Sequence, residues 1–196
     1  MNTFPPAVPF EELDTPDLDI PHGDLWVFAY GSLMWNPDIP YLHASHAKIY
    51  GFHRSLCIWS WYYRGTRSKP GLVFGLDAGG SCVGRGYRVH AADREAVVDY
   101  LYRRELISNV YTPRLIDTFV DGGERVSALT FTVKREHPQY AGRLSTDHVA
   151  RAVRHAVGTT GPNLDYVVNT LDHLDAMGIV DRRLQSLSSK LVLKDC

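Results

Sequence analysis

Leu25-Trp26-Val27-Phe28-Ala29-Tyr30-Gly31-Ser32-Leu33-Met34 is the stretch from which the fold is most directly read. Six apolar and aromatic residues in a row, stopped by Gly-Ser, predict a buried strand that delivers a tight loop. Gly31 lets the backbone turn sharply and come close to a ligand. Successive N–H groups in such a turn form a nest for a carboxylate or for an oxyanion that develops during a reaction. The same residues also satisfy a plainer description, a turn after a core strand. Ser32 is not set up as a nucleophile, because Tyr30-Gly31-Ser32-Leu33-Met34 lacks the flanking glycines of G-x-S-x-G. Nor is this a phosphate loop, since no Gly-Lys-Ser/Thr follows.

Outward from that loop, Lys48–Phe52 and Leu56–Trp59 predict further strand, bent at Gly51. Gly71–Leu76 and Val83–Val89 predict two more strands, and the intervening Asp77-Ala78-Gly79-Gly80-Ser81 predicts a hairpin. A second hairpin is expected from residues 109–119 and 124–133, turned at Asp121-Gly122-Gly123. Three helices follow from periodicity and caps: about Ala92 to Leu106, Ser145 or Thr146 to Gly158, and Asn163 to Gly178. Strands dominate the front of the chain and helices the back, which argues for an α+β fold over alternating βαβ units. Residues 1–24, rich in proline and acidic side chains and without periodicity, predict an N-terminal arm, either a disordered lead-in or a charged stretch laid along the surface of the folded domain. Residues 25–196 are expected to form a single domain.

The first predicted helix contains the second candidate. At 100° per residue, Leu101 lies about 40° and Glu105 about 80° from Val97, so Glu105 projects from the side of the buried stripe. A carboxylate there is costly unless paired or neutral. Burial raises its pKa toward the range of a general acid or base. The alternative is an ion pair with Arg103, Arg104 or another arginine at the helix end.

The whole composition narrows the function classes. With 21 basic and 22 acidic side chains and a formal charge of -1, the chain advertises no basic footprint for nucleic acid or anionic membrane. Trp59, Trp61, Tyr62 and Tyr63 are therefore expected in strand, core and pocket rather than against bases. Three scattered cysteines, Cys57, Cys82 and Cys196, fit neither a disulfide framework nor a zinc knuckle. The histidines, His43 and His46 among them, show no metal-ligand spacing with a carboxylate. No signal-peptide pattern opens the chain and no run reaches the ~20 apolar residues of a membrane span. A cytoplasmic, soluble protein is the expectation, monomeric by default. Tyr140 follows a proline turn and precedes a helix, either as a pocket hydroxyl or as a cap on the core.

Four segments together resemble one family. They are Trp26-Val27-Phe28-Ala29-Tyr30-Gly31-Ser32-Leu33-Met34-Trp35-Asn36-Pro37, then Lys69-Pro70-Gly71-Leu72-Val73, then Tyr100-Leu101-Tyr102-Arg103-Arg104-Glu105, then Gly161-Pro162-Asn163-Leu164-Asp165-Tyr166 with Gly178-Ile179-Val180-Asp181. The chain resembles the ChaC-type, glutathione-specific γ-glutamylcyclotransferases over roughly residues 25–184. Ala29 and Met34 stand where the family pattern leads us to expect glycine and isoleucine, and neither change removes a functional group. The resemblance implies a γ-glutamylcyclotransferase-like fold, a small mixed barrel-like sheet flanked by helices. It implies a lyase that converts glutathione to 5-oxoproline and cysteinylglycine with no cofactor and no metal. It implies that Ala29, Tyr30, Gly31, Ser32, Leu33 and Met34 cradle the γ-glutamyl group, and that Glu105 is catalytic. Tyr140 is added as a candidate substrate contact. Two rival expectations remain: action on other γ-glutamyl amino acids or γ-glutamylamines, and glutathione binding without turnover.

Overall fold

The computed structural model describes residues 18–192. Most of the N-terminal arm, residues 1–17, and Cys196 lie outside the described residues. Strand β1 (Leu25–Ala29) is followed by a 3-10 turn (Ser32–Met34), then by two long strands, β2 (His43–Ser60) and β3 (Gly71–Val89). Helix α1 (Arg94–Glu105) leads to β4 (Tyr111–Val120) and β5 (Arg125–Val133). Then come α2 (Thr146–His155), the short strands β6 (Val157–Gly158) and β7 (Gly161–Pro162), α3 (Asn163–Ala176) and α4 (Arg182–Val192). The five long strands close into a mixed barrel in the order β1-β3-β2-β4-β5, so the α+β, barrel-like expectation holds.

The chain divides into two compact units, one of residues up to Arg54 plus Leu76–Lys134, the other of Ser55–Gly75 plus residues from Arg135 onward. In the first, β1 runs antiparallel to β3 from Leu25↔Val89 to Ala29↔Arg85. On its other edge β1 runs parallel to β5, with Trp26 opposite Ala128 and Val27 opposite Leu129. Strands β4 and β5 form the expected hairpin, Tyr111↔Val133 to Phe119↔Arg125, and Gly122 and Gly123 turn it. The core of this unit joins Val27, Phe28, Ile49, Tyr87, Leu129 and Phe131 to Val97 and Leu101 of α1. Helix α1 starts from a 3-10 turn, Ala91–Asp93, where His90 Nδ1 accepts from the Ala92 N–H at 3.1 Å. Asp24, just ahead of β1, is anchored to the same region, 2.8 Å from Arg88 Nε and 3.0 Å from the Ala91 N–H.

The hairpin expected at Asp77–Ser81 is not there: residues 71–89 are one strand. Gly79 and Gly80 take φ of +101° and +78°, so the glycines kink the strand instead of reversing it. His53 of β2 reaches across to them, its Nδ1 2.7 Å from the Gly79 carbonyl. A paired neighbour along the strand outweighs the local turn propensity of Ala-Gly-Gly.

In the second unit α2, α3 and α4 pack together through Val149, Val153, Val167, Leu174, Leu184, Leu187 and Leu191. Ser145 caps α2 as expected, its Oγ accepting from the His148 N–H. The helix stops at His155, not at Gly158, because Val157 and Gly158 are taken into pairing with Pro162 and Gly161. The turn between them donates from Thr159 N and Thr160 N to the carbonyls of Tyr62 and Tyr63. Gly158 packs so closely there that a Cβ would stand 2.3 Å from both carbonyl oxygens. Helix α3 closes through Gly178 at φ +65° with Ile179 N donating to Leu174 O at 2.8 Å, the stop expected from the sequence. Asn163, at its start, is fully buried and pairs with both backbone groups of Leu72: Leu72 N–H to Oδ1 at 2.7 Å and Nδ2 to Leu72 O at 2.8 Å.

Candidate functional site

The turn that follows β1 is built so that its carbonyls face protein. Ala29 is fully buried at the end of the strand. The Tyr30 side chain continues inward, its hydroxyl donating to Phe131 O at 2.9 Å. Tyr30 O accepts from Arg54 Nε at 2.5 Å. Gly31 O accepts from the Met34 N–H at 2.9 Å, and Ser32 O from Trp35 N and Asn36 N at 3.2 and 2.9 Å. The Tyr87 hydroxyl stands 3.1 Å from Leu33 O and 2.7 Å from Met34 O and donates to that pair. Every carbonyl from Tyr30 to Met34 is thus occupied by protein. The N–H groups of Gly31, Ser32 and Leu33 come before the first internal bond of the turn, and such groups look for acceptors outside it. The turn therefore offers donors, which suits a carboxylate or a developing oxyanion. Leu33 and Met34 direct their side chains into the core, and Gly31 and Ser32 remain half-buried at the surface of the turn.

Two buried side chains hold this shape. Arg54 is only 2% exposed, and beyond Tyr30 O its Nη2 donates to Val83 O at 2.7 Å and touches Met34 Sδ at 3.6 Å. Its position in β2 shares the inward parity of Leu56 and Ile58, so a charged residue in an inward register was the signal for it. Tyr87 is buried, and burial pushes its phenol up to about 12 against the opposing Arg85 guanidinium. It stays a hydroxyl donor across the whole neutral range. Tyr87→Phe removes that donor and leaves two buried carbonyls without it, so the variant should lose about 1–3 kcal/mol of stability. A denaturant titration with an unchanged midpoint would contradict the assigned contact.

Glu105 is the last residue of α1, on the core side of the helix with Val97 and Leu101 buried behind it. Its side chain is 17% exposed and Oε1 lies 3.4 Å from Arg104 Nε. The two sequence readings of Glu105, buried face and arginine pair, are both realised. Burial outweighs the Arg104 guanidinium, and the carboxyl titrates above the ordinary glutamate range. Arg104 also reaches the turn: its Nη2 is 3.4 Å from Ser32 Oγ, and its Nη1 donates to Asn36 O at 2.9 Å. The structure thus brings Ser32 and Glu105 to neighbouring nitrogens of one guanidinium. Tyr140 stands in the second unit, half-buried, bridged through its backbone to Ile58 with its N–H on His137 O at 2.8 Å. Among the described residues no group of three or more His, Cys, Asp or Glu is gathered as for a metal ion. No helix among them is long and apolar enough to cross a membrane.

Comparison with known proteins gives this arrangement a family. A family model described as ChaC-like protein matches residues 25–194. The glutathione-specific gamma-glutamylcyclotransferase of Escherichia coli (strain K12) is 32% identical over 165 residues, covering 84% of this chain and 71% of that one. Glutathione-specific gamma-glutamylcyclotransferase 1 of Danio rerio is 30% identical over 154 residues, 76% of this chain and 79% of that protein. In three dimensions, the crystal structure of a glutathione-specific γ-glutamyl cyclotransferase from yeast superposes with a TM-score of 0.78 at 21% identity, over 87% of this chain and 96% of that chain. At that identity the match speaks for the fold, and the sequence relatives carry the rest: this chain belongs to the ChaC-like protein family.

Proposed function

We propose that the protein is a γ-glutamylcyclotransferase that cyclises the γ-glutamyl group of glutathione, releasing 5-oxoproline and cysteinylglycine. The observation that carries this reading is the Glu105 carboxyl, which titrates above the ordinary glutamate range and is linked through Arg104 to the Ser32 turn. The family relatives named for that reaction support it.

The chemistry needs little more than these parts. The substrate's α-amine attacks its own γ-carbonyl carbon, so the new C–N bond closes a five-membered ring. The amide C–N bond to cysteine then breaks. The α-amine, with a pKa near ~8, is largely protonated at neutral pH and must give up a proton before it can attack. One ammonium proton leaves to solvent before attack. Glu105 takes the second from the nitrogen as the C–N bond forms and hands it to the departing amine, which picks up its other proton from solvent. Protons therefore balance, and water and redox equivalents are neither consumed nor made. The nucleophile is tethered to its target, and the protein's other task is to fold the γ-glutamyl chain into an attacking conformer. The N–H groups of Gly31 to Leu33 grip the substrate carboxylate or steady the oxyanion on the γ-carbonyl.

Purified protein incubated with glutathione should yield 5-oxoproline and cysteinylglycine in equal amounts. Folded protein that yields neither rules the reading out. A panel of γ-glutamyl amino acids and γ-glutamylamines in the same assay sets the substrate range. Because burial raises the Glu105 carboxyl and it must be ionised to accept a proton, kcat/KM should fall on the acid side above the pH at which an ordinary glutamate titrates. A profile flat down to pH 5 would contradict the role of Glu105.

A further inference from the structure

Arg104 uses all three of its guanidinium nitrogens, and it uses them on two different structures. Nε lies 3.4 Å from Glu105 Oε1. Nη1 donates to the carbonyls of Asn36 at 2.9 Å and Pro37 at 3.3 Å, and it lies 3.2 Å from the Tyr100 hydroxyl. Nη2 lies 3.4 Å from Ser32 Oγ. Neighbouring residues on a helix diverge by about 100°, so a side chain that meets the carboxylate next to it must fold back along the helix end. Its position is therefore set by the turn it grips. The fork is planar and rigid, so fixing two of its nitrogens on Asn36, Pro37 and Ser32 aims the third at Glu105.

Resting on the cyclotransferase reading above, we propose that Arg104 is a positioning residue that couples the Gly31–Met34 turn to the Glu105 carboxyl, holding cradle and base in one geometry. The other charged groups nearby are engaged elsewhere. Arg103 pairs with Asp99 at 2.9 Å, Asp38 accepts from the Tyr100 hydroxyl at 3.4 Å, and Arg54 serves the carbonyls of Tyr30 and Val83. Arg104 is thus the cation that tempers the effect of burial on Glu105.

Two substitutions separate its two tasks. Arg104→Met removes the charge and the fork; Arg104→Lys keeps a charge and loses the planar donor set. For Arg104→Met, the acid limb of kcat/KM and the ¹³C titration of the Glu105 carboxyl in the free protein should both move to higher pH. For Arg104→Lys both should stay near their original position, while kcat falls about 10- to 100-fold because the turn and the base are no longer held at a fixed spacing. A Glu105 titration unmoved in Arg104→Met overturns the proposal, and so does parental kcat in Arg104→Lys. If Arg104→Met fails to fold, the lysine variant decides alone through its kcat. The carboxyl titration needs no turnover, so a failure of Arg104 is distinguishable from a failure of the glutathione reading, which would appear as no product from the parent protein.

Discussion

Glu105→Gln should lose about 100- to 10,000-fold in kcat with glutathione, while the protein folds normally and gains stability above mildly acidic pH. The amide keeps the size of the side chain and cannot accept or return a proton, so the whole contribution of a general acid/base is removed. Stability moves the other way because burial raises the titration of the Glu105 carboxyl in the folded state above its unfolded value. Below the unfolded pKa, near 4.5, the carboxyl is protonated in both states and the folded protein bears no charge penalty. As the pH rises toward the higher folded value, the unfolded chain ionises first and gains relative to the fold, by about 1.4 kcal/mol for each unit between the two values. Glutamine does not ionise. The difference in Tm between Glu105→Gln and the parent should therefore be small at pH 4 and widen in favour of the variant up to the folded pKa, beyond which it stays constant. Parental turnover by the variant would sink the catalytic assignment. A Tm difference independent of pH would sink the claim that burial dominates at this carboxyl.

Asn163→Leu should be the most damaging single change to stability among those considered. The leucine fills nearly the same volume but cannot pair with the Leu72 N–H and C=O, which lie in a fully buried segment. Each buried group left without a partner costs about 1–3 kcal/mol. The two together come to about 2–6 kcal/mol, against a total stability of roughly 5–15 kcal/mol for a domain. At about 2–4 °C per kcal/mol for a chain of this size, Tm should drop by roughly 5–20 °C. A thermal melt of Asn163→Leu within 2 °C of the parent would show that water or a shifted backbone replaces the asparagine.

What could be read from the sequence was local. The run from Leu25 to Met34 announced a strand and a loop because apolar residues and Gly-Ser state that directly. The helical wheel placed Glu105 on the buried side of α1 because periodicity needs only neighbours along the chain. The readings that failed depended on partners far away. Asp77–Ser81 has the composition of a hairpin, and only the pairing of β3 with β2 makes it a kinked strand. The last turn of α2 was lost to a ladder with Gly161 and Pro162 and to carbonyls almost one hundred residues earlier. Helix α4 was missed although Leu184, Leu187 and Leu191 have helical spacing and Asp181 Oδ1 caps it at the Arg183 and Leu184 N–H groups. In the candidate site, the turn and Glu105 could be named from the sequence. The roles of the side chains that hold the turn, Arg54 and Tyr87, could not, because an inward arginine or tyrosine in a strand does not say which carbonyl it meets.

The parallel pairing of β1 with β5 also sets a timetable for the newly made chain. Trp26 and its partner Ala128 are 102 residues apart (128 − 26), and translation adds about 5–20 residues each second. The first strand therefore leaves the ribosome roughly 5–20 s before the strand that closes its second edge. During that interval Leu-Trp-Val-Phe-Ala is an apolar segment with an unfilled row of backbone donors and acceptors, the kind of edge that recruits strands from other chains. Aggregation during rapid expression, where it occurs, should trace to that waiting strand more than to any weakness of the finished barrel.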